Sequence, residues 1–257
     1  MAVKPAGDFD YDAHGAGYGL RRRTDPRIAG LVHAALGDAR TVINVGAGAG
    51  SYEPEDRYVV AVEPSAQMRS QRPPRRVPAF DACAESLPFD DGSFDAAMAM
   101  VTIHQWPDPD RGLAELRRVS RGPVVILTFD GDALDRLWLA QYAPELIEAE
   151  RRRYPAIDHV REILGGVSTV SEVPVPIDCL DGFTEAFYAR PEAFLDADVR
   201  RSQSAWGFVD PGVEARFAAR LESDLASGRW DHTYGDLRTQ PEFVGALRLV
   251  TALPART

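Results

Sequence analysis

One stretch sets the terms for any fold this chain can adopt. Thr41-Val42-Ile43-Asn44-Val45 is a short, mostly apolar run of β-forming residues, and it empties into Gly46-Ala47-Gly48-Ala49-Gly50, with glycine at every second position. Such a run reads as a buried parallel strand delivering the chain to a tight turn whose backbone approaches a ligand. A Cβ on those glycines would hold the ligand off and bar the positive φ that a sharp strand-to-helix turn needs. The next hydrophobic run, Tyr58-Val59-Val60-Ala61-Val62, ends in Glu63, followed by Pro64 and Ser65. An acid at the tip of the second strand, about 20 residues past the first glycine, sits where a carboxylate accepts both ribose hydroxyls of an adenosine. Both features name the same ligand class.

Composition removes several alternatives. A net charge of −10 repels nucleic acid and anionic membrane at long range, and the arginine runs at 21–23, 75–76 and 151–153 are short and flanked by acids or prolines. No stretch approaches the roughly 18 apolar residues of a membrane span. The N-terminus lacks a basic-then-apolar signal pattern, so a cytoplasmic protein is expected. Cys83 and Cys179 form no Cys-x-x-Cys pair, which indicates neither a zinc site nor a disulfide scaffold. Lys4 is the only lysine. Its isolation excludes a pyridoxal-phosphate Schiff base, a Walker A loop and the Tyr-x-x-x-Lys pair of short-chain dehydrogenases.

Periodicity and punctuation then predict the elements. Residues 8–24 read as a loop or short helix. Asp25 caps a helix with Pro26 at its first position, running to Gly37. Strands follow at 41–45 and 58–62, with at most a brief helical turn between them. A helix capped by Ser65 ends at Pro73-Pro74. Further strands are expected at 78–80, 96–103 and 123–129, with a helix over Leu113 to Val119. Beyond Asp130 the pattern loosens into helices at 134–153, 157–164 and 191–227 and strands at 167–177 and 243–253. Alternating strands and helices imply a mainly parallel, doubly wound sheet. Trp138, Tyr142, Phe187, Tyr188, Phe194 and Trp206 then fall on an insertion that caps the strand ends, where they are either chamber walls or core.

The order of pieces resembles a known family, the class I S-adenosylmethionine-dependent methyltransferases, in particular the type 11 group typified by the ubiquinone and menaquinone biosynthesis enzymes. Four blocks carry the resemblance: Asn44 to Gly50; Val62-Glu63-Pro64-Ser65 with Met68; Ala84-Glu85 through Leu87-Pro88-Phe89 to Phe94-Asp95; and Thr102-Ile103-His104-Gln105-Trp106 with Asp108. It implies an α/β, Rossmann-like, mostly parallel seven-stranded sheet with a helical substrate cap. Residues 1–130 would be the cofactor-binding half with an N-terminal lid, and 131–257 the cap insertions plus the closing strands of the same sheet. The implied cofactor is S-adenosyl-L-methionine, leaving S-adenosyl-L-homocysteine. Gly46, Ala47, Gly48 and Gly50 would shape the turn under its methionine part and Glu63 would hold the ribose diol. Pro64 and Met68 would pack on the adenine, and the backbone around Ala84 and Glu85 would read its edge. Cys83 stands where the family commonly has an Asp accepting from the adenine amino group, which leaves that contact to backbone or water. Asn44 stands where the family often has an acid, which keeps hydrogen bonding to the cofactor's ammonium but weakens the charge interaction. Met100 and Val101 complete the set. In similar enzymes an N-terminal segment folds over the cofactor, which makes Tyr18 and Arg22 candidates, the guanidinium matching a carboxylate bidentately.

Methyl transfer from a sulfonium is an in-line displacement, so positioning and exclusion of water do most of the work. Where the acceptor must lose a proton, a base near pKa 7 helps, and His104, just past the fourth strand, is the first candidate. Tyr11 is the second, as a phenol that orients the acceptor. Asp130 and Asp132 read as turn formers, and no metal is expected. The expected reaction is methyl transfer to oxygen or nitrogen, in preference to carbon, of a small, partly apolar, even cationic acceptor in specialised metabolism. No nucleic acid or membrane partner is expected, and a homo-oligomer is compatible with the sequence. Two rival readings are a non-catalytic protein on the same fold and a nicotinamide-dependent oxidoreductase. The second would want Gly-x-Gly-x-x-Gly, whereas Gly46 and Gly48 are followed at the third position by Ser51.

Overall fold

The computed structural model describes residues 22–255, so Tyr11 and Tyr18 lie outside the described residues. Helix α1, Pro26–Ala35, starts where the sequence requires: Asp25 accepts from Arg27 N at 3.0 Å and Pro26 occupies the first turn. Strands β1 (Thr41–Val45), β2 (Tyr58–Val62), β3 (Ala79–Phe80), β4 (Ala96–Met100) and β5 (Val124–Phe129) pair in parallel. Two later strands, β6 (Val167–Glu172) and β9 (Leu247–Leu253), complete a seven-stranded sheet of order β3-β2-β1-β4-β5-β9-β6, β9 running antiparallel to both its neighbours. The chain order reverses between β1 and β4, and the crevice beyond their carboxyl ends is where open α/β sheets take ligands.

Alternate strand residues face opposite layers, which is why β1 and β5 are apolar without a polar face. Val42, Met98, Val125 and Leu127 pack on Ile28 and Val32 of α1 and on Leu36 at its C-cap. Ile43, Ala97, Val124 and Ile126 pack on α3 (Pro109–Val119) and α6 (Ile157–Leu164) through Leu113, Leu116, Val160 and Leu164. The short α2, Ala66–Ser70, is capped by Ser65 Oγ, which accepts from Met68 N at 3.1 Å.

Several boundaries differ from the sequence reading, each at a residue that hydropathy does not weigh. The fourth strand stops at Met100 and not Ile103, because Val101 takes φ +53 and turns the chain into a 3₁₀ turn at Ile103–Gln105. The run 167–177 is two strands: after Pro174, β7 (Val175–Pro176) leaves the main sheet to pair with β8 (Glu242–Phe243). The closing strand accordingly starts at Leu247. The expected helix 134–153 is broken into a 3₁₀ turn, α4 (Leu139–Tyr142) and α5 (Pro144–Arg153). The expected helix 191–227 holds only α7 (Ala197–Arg201) and α8 (Pro211–Ala226) between 3₁₀ turns, with α9 (Arg229–Tyr234) after it. Pro144, Pro191 and Pro211 each begin a new segment, as a residue without an N–H does.

The segment between β5 and β9 carries its own core. Trp138, Tyr142, Tyr188, Phe194, Phe217 and Trp230 are buried together, and Trp138 meets Tyr142, Phe194 and Trp230 edge to face. Trp138 Nε1 donates to Tyr188 O at 2.9 Å, leaving no buried N–H unpaired on that ring. The cap aromatics are therefore packing for the cap itself, and other residues face the sheet.

Candidate active site

The glycine turn leaves β1 with φ of +68 at Gly46 and +50 at Gly48. A Cβ at Gly46 would overlap the side chain of Thr102, which follows β4, so the two strand tips meet with no room between them. Glu63, at the tip of β2, crosses to this turn: Oε2 accepts from Gly48 N and Oε1 from Ser65 N, both at 2.9 Å. Burial pushes its carboxyl pKa up while the two backbone N–H groups pull the other way. Asn44 Nδ2 donates to Glu53 Oε1 at 3.0 Å, and Glu53 is clamped by Arg72 at 2.9 Å through both oxygens. Asn44 Oδ1 is buried without a partner.

Asn44, Gly46, Gly48, Glu63 and Thr102 line a cavity together with Ala47, Tyr52, Met68, Met100 and Val101. Arg22 stands at its wall, and its Nε donates to Asp181 Oδ1 at 2.6 Å. Tyr52 OH donates to the other oxygen of Asp181 at 2.7 Å, tying the cap to the cofactor side. Gly50, Pro64, Cys83, Ala84 and Glu85 are not among the lining residues. Ala84 packs in the core and Glu85 Oε1 accepts from Asp108 N at 3.1 Å. Sequence reasoning missed Tyr52, Asp181 and the Glu53–Arg72 pair. Only Glu53, one of the acids after the glycine turn, carried a readable signal.

A second cavity opens at the carboxyl ends of β4 and β5 and shares Arg22, Val101 and Gln105 with the first. Its walls are mostly apolar, with Phe129 from β5 and Leu134, Leu137, Leu146, Ile147 and Phe183 from the cap. His104 is buried in this wall against Tyr154, ring centroids 4.5 Å apart. Burial, reinforced by Arg153 and Arg22, drives its pKa well below 6.5, so the ring is neutral. Its Nε2 lies 3.3 Å from Gln105 Nε2, and its Nδ1 has no partner. A base poised near pKa 7 is not what these surroundings produce.

Glu185 also lines this cavity. Its Oε1 accepts from Ala246 N at 2.6 Å, and burial pushes its pKa from 4.5 up to about 7. In the unfolded chain the group releases its proton near 4.5, whereas the folded protein keeps it to about 7. The folded state thus binds more protons across that window, and its stability falls as pH rises through it, levelling above 7. Calorimetric Tm measured from pH 4.5 to 8 should show that decline, and Glu185→Gln should flatten it. Equal slopes in the two proteins would refute the assignment.

Asp130 Oδ1 accepts from Asp132 N at 3.1 Å, so Asp130 caps the 3₁₀ turn that follows β5. Among the described residues, no cluster of three or more His, Cys, Asp or Glu is placed to hold a metal ion.

Residues 43–126 match the family profile described as methyltransferase domain. Over those residues the chain carries a methyltransferase domain. A ubiquinone/menaquinone biosynthesis C-methyltransferase, UbiE, of Citrifermentans bemidjiense is 47% identical over 55 residues, which is 21% of this chain and 23% of that protein. The match to that curated relative thus spans about a quarter of its length. Among solved structures, one from Anabaena variabilis, named for methyl transfer in an antibiotic biosynthesis pathway, is 29% identical with a TM-score of 0.83, covering 91% of this chain and 99% of its own. Phosphoethanolamine N-methyltransferase 2 of Haemonchus contortus, solved with S-adenosylhomocysteine, shares the fold at 13% identity and a TM-score of 0.59, covering 99% of this chain and 61% of its own. The cofactor of a methyltransferase domain of this family is S-adenosylmethionine. The first cavity suits it, offering a buried carboxylate to a diol and the unpartnered Asn44 Oδ1 to an ammonium.

Proposed function

We propose that this protein transfers the methyl group of S-adenosylmethionine to oxygen or nitrogen of a small-molecule acceptor held in the cap chamber. The observation that carries the reading is the pair of adjoining cavities, one polar and one apolar, with Arg22, Val101 and Gln105 in the wall of both. When bound, S-adenosylmethionine supplies an electrophilic methyl on a sulfonium. Glu63 accepts the ribose hydroxyls, Asn44 Oδ1 accepts from the ammonium, and Arg22 meets the carboxylate while Asp181 fixes its Nε. Met68, buried beside Gly48, packs on the adenine. The apolar cap excludes water from the acceptor, and His104, neutral, positions it by hydrogen bonding.

The likeness to the Anabaena variabilis structure, over 91% of the chain, supports a role in specialised metabolism. Transfer to carbon is the alternative that the UbiE match favours, and NMR of the methylated product separates the two by the shift of the new methyl.

Titration calorimetry tests the cofactor half without knowing the acceptor. S-adenosylhomocysteine should bind in the micromolar range or tighter, about −8 kcal/mol, and NAD should give no heat. Binding of NAD in preference to S-adenosylhomocysteine would overturn the reading.

A further inference from the structure

Each polar atom of Tyr52 is tied to a different part of the chain. Its N–H donates to Thr24 Oγ1 at 3.0 Å, its carbonyl accepts from His33 Nε2 on α1 at 3.0 Å, and its hydroxyl donates to Asp181 Oδ2 at 2.7 Å. Tyr52 takes φ +63, a conformation that a bulky residue adopts only where its surroundings impose it. Asp181 receives the Tyr52 hydroxyl on one oxygen and Arg22 Nε, at 2.6 Å, on the other. Tyr52 and Asp181 are each 1% exposed, so water does not compete for these contacts. A guanidinium bonded through Nε to a carboxylate that is itself fixed is held in plane and in direction.

Asp181 also lies in a stretch of the cap that is pinned to the start of α1. Asp178 pairs with Arg27 at 2.6 Å, and Leu180 N donates to Asp25 Oδ2 at 3.1 Å. Just beyond it, Phe183, Thr184 and Glu185 line the second cavity, while Arg22 and Tyr52 line the first. One buried carboxylate therefore joins the wall of the chamber to the wall of the cofactor site.

We propose that Asp181 and Tyr52 are positioning residues for the amino-acid tail of the cofactor, setting the Arg22 guanidinium that meets the tail carboxylate, and that this contact docks residues 178–185 of the cap onto the cofactor side. It rests on the first cavity being the cofactor site. Asp181 acts through Arg22, and Tyr52 acts through Asp181. A guanidinium oriented beforehand gives up little rotamer freedom when a carboxylate arrives, whereas an arginine without that anchor must be ordered by the ligand.

The test compares S-adenosylhomocysteine with 5′-methylthioadenosine, which keeps the nucleoside and the sulfur but lacks the amino-acid tail. By calorimetry on the full chain, Asp181→Asn should weaken S-adenosylhomocysteine by about tenfold and Tyr52→Phe by about threefold, while methylthioadenosine binds both variants within about twofold of the parent. Arg22→Lys, which lacks the Nε–H, should show the same tail-specific loss, and adding Asp181→Asn to it should cost nothing further. Hydrogen exchange of the amides at 178–185 should slow on binding S-adenosylhomocysteine in the parent and not in Asp181→Asn. General damage to the fold would weaken both ligands alike. If Asp181→Asn binds neither ligand, Tyr52→Phe decides by the same ratio. The proposal fails if the parent binds S-adenosylhomocysteine no tighter than methylthioadenosine, if the substitutions weaken both ligands equally or neither, or if exchange at 178–185 is unchanged by S-adenosylhomocysteine. A parent protein that binds neither ligand would instead bring down the assignment of the cofactor site, and this proposal with it.

Discussion

Glu63→Ala is expected to weaken S-adenosylhomocysteine binding by about 100- to 1000-fold, the loss of roughly 3–4 kcal/mol. Glu63 is 8% exposed, and its two oxygens are already oriented by Gly48 N and Ser65 N, so the carboxylate needs no reorganisation to accept from a diol. Hydrogen bonds to a charged acceptor contribute about 1.5–3 kcal/mol each, and a ribose offers two. Truncation also frees the Gly48 and Ser65 N–H groups that hold the turn in place. Calorimetry against S-adenosylhomocysteine, with the apo Tm measured to confirm folding, reads the effect. An affinity within about threefold of the parent would remove Glu63 from the site.

Gly46→Ala is expected to be strongly destabilising. It places a Cβ at φ +68 and drives it into the Thr102 side chain. The left-handed conformation costs about 1–2 kcal/mol for a residue with a Cβ. Overpacking adds about 1–3 kcal/mol. The sum, about 3 kcal/mol, corresponds to a fall in Tm of roughly 6–12 °C in a chain of this size. Gly30→Ala supplies the contrast, because that Cβ meets nothing within 4 Å on helix α1. There the helix gains about 0.5–1 kcal/mol. Scanning calorimetry of both variants decides the matter, and a Gly46→Ala protein as stable as Gly30→Ala would show that the turn is not tightly packed. Combining Gly46→Ala with Thr102→Ala should recover the steric part alone.

The parallel half of the fold was legible because its signals are local. Each of β1, β2 and β5 is a mostly apolar run, and Asp25-Pro26 and Ser65 announce their helices by the groups they cap. Glu63 and the glycine turn were legible for the same reason, each lying at a strand end. What escaped depends on contacts far apart in sequence. Asp181 reaches Tyr52 across 129 residues, and Glu185 reaches Ala246 across 61. Nothing near either acid in the sequence marks it as buried. The end of β4 escaped for another reason. Val101 belongs to a residue type that favours extended backbone, yet it takes φ +53, and only the surrounding structure imposes that. Residues 134–153 and 191–227 were each read as one helix because their composition is helical, while the prolines that divide them also pass as first-turn residues.

The wall common to the two cavities, built from Arg22, Val101 and Gln105, makes their occupants thermodynamic neighbours. Donor and acceptor do not settle independently: whichever arrives first resets the surface met by the second, and reciprocity makes the effect equal in the other direction. Broadening the acceptor range by enlarging that partition would therefore tax donor affinity as well.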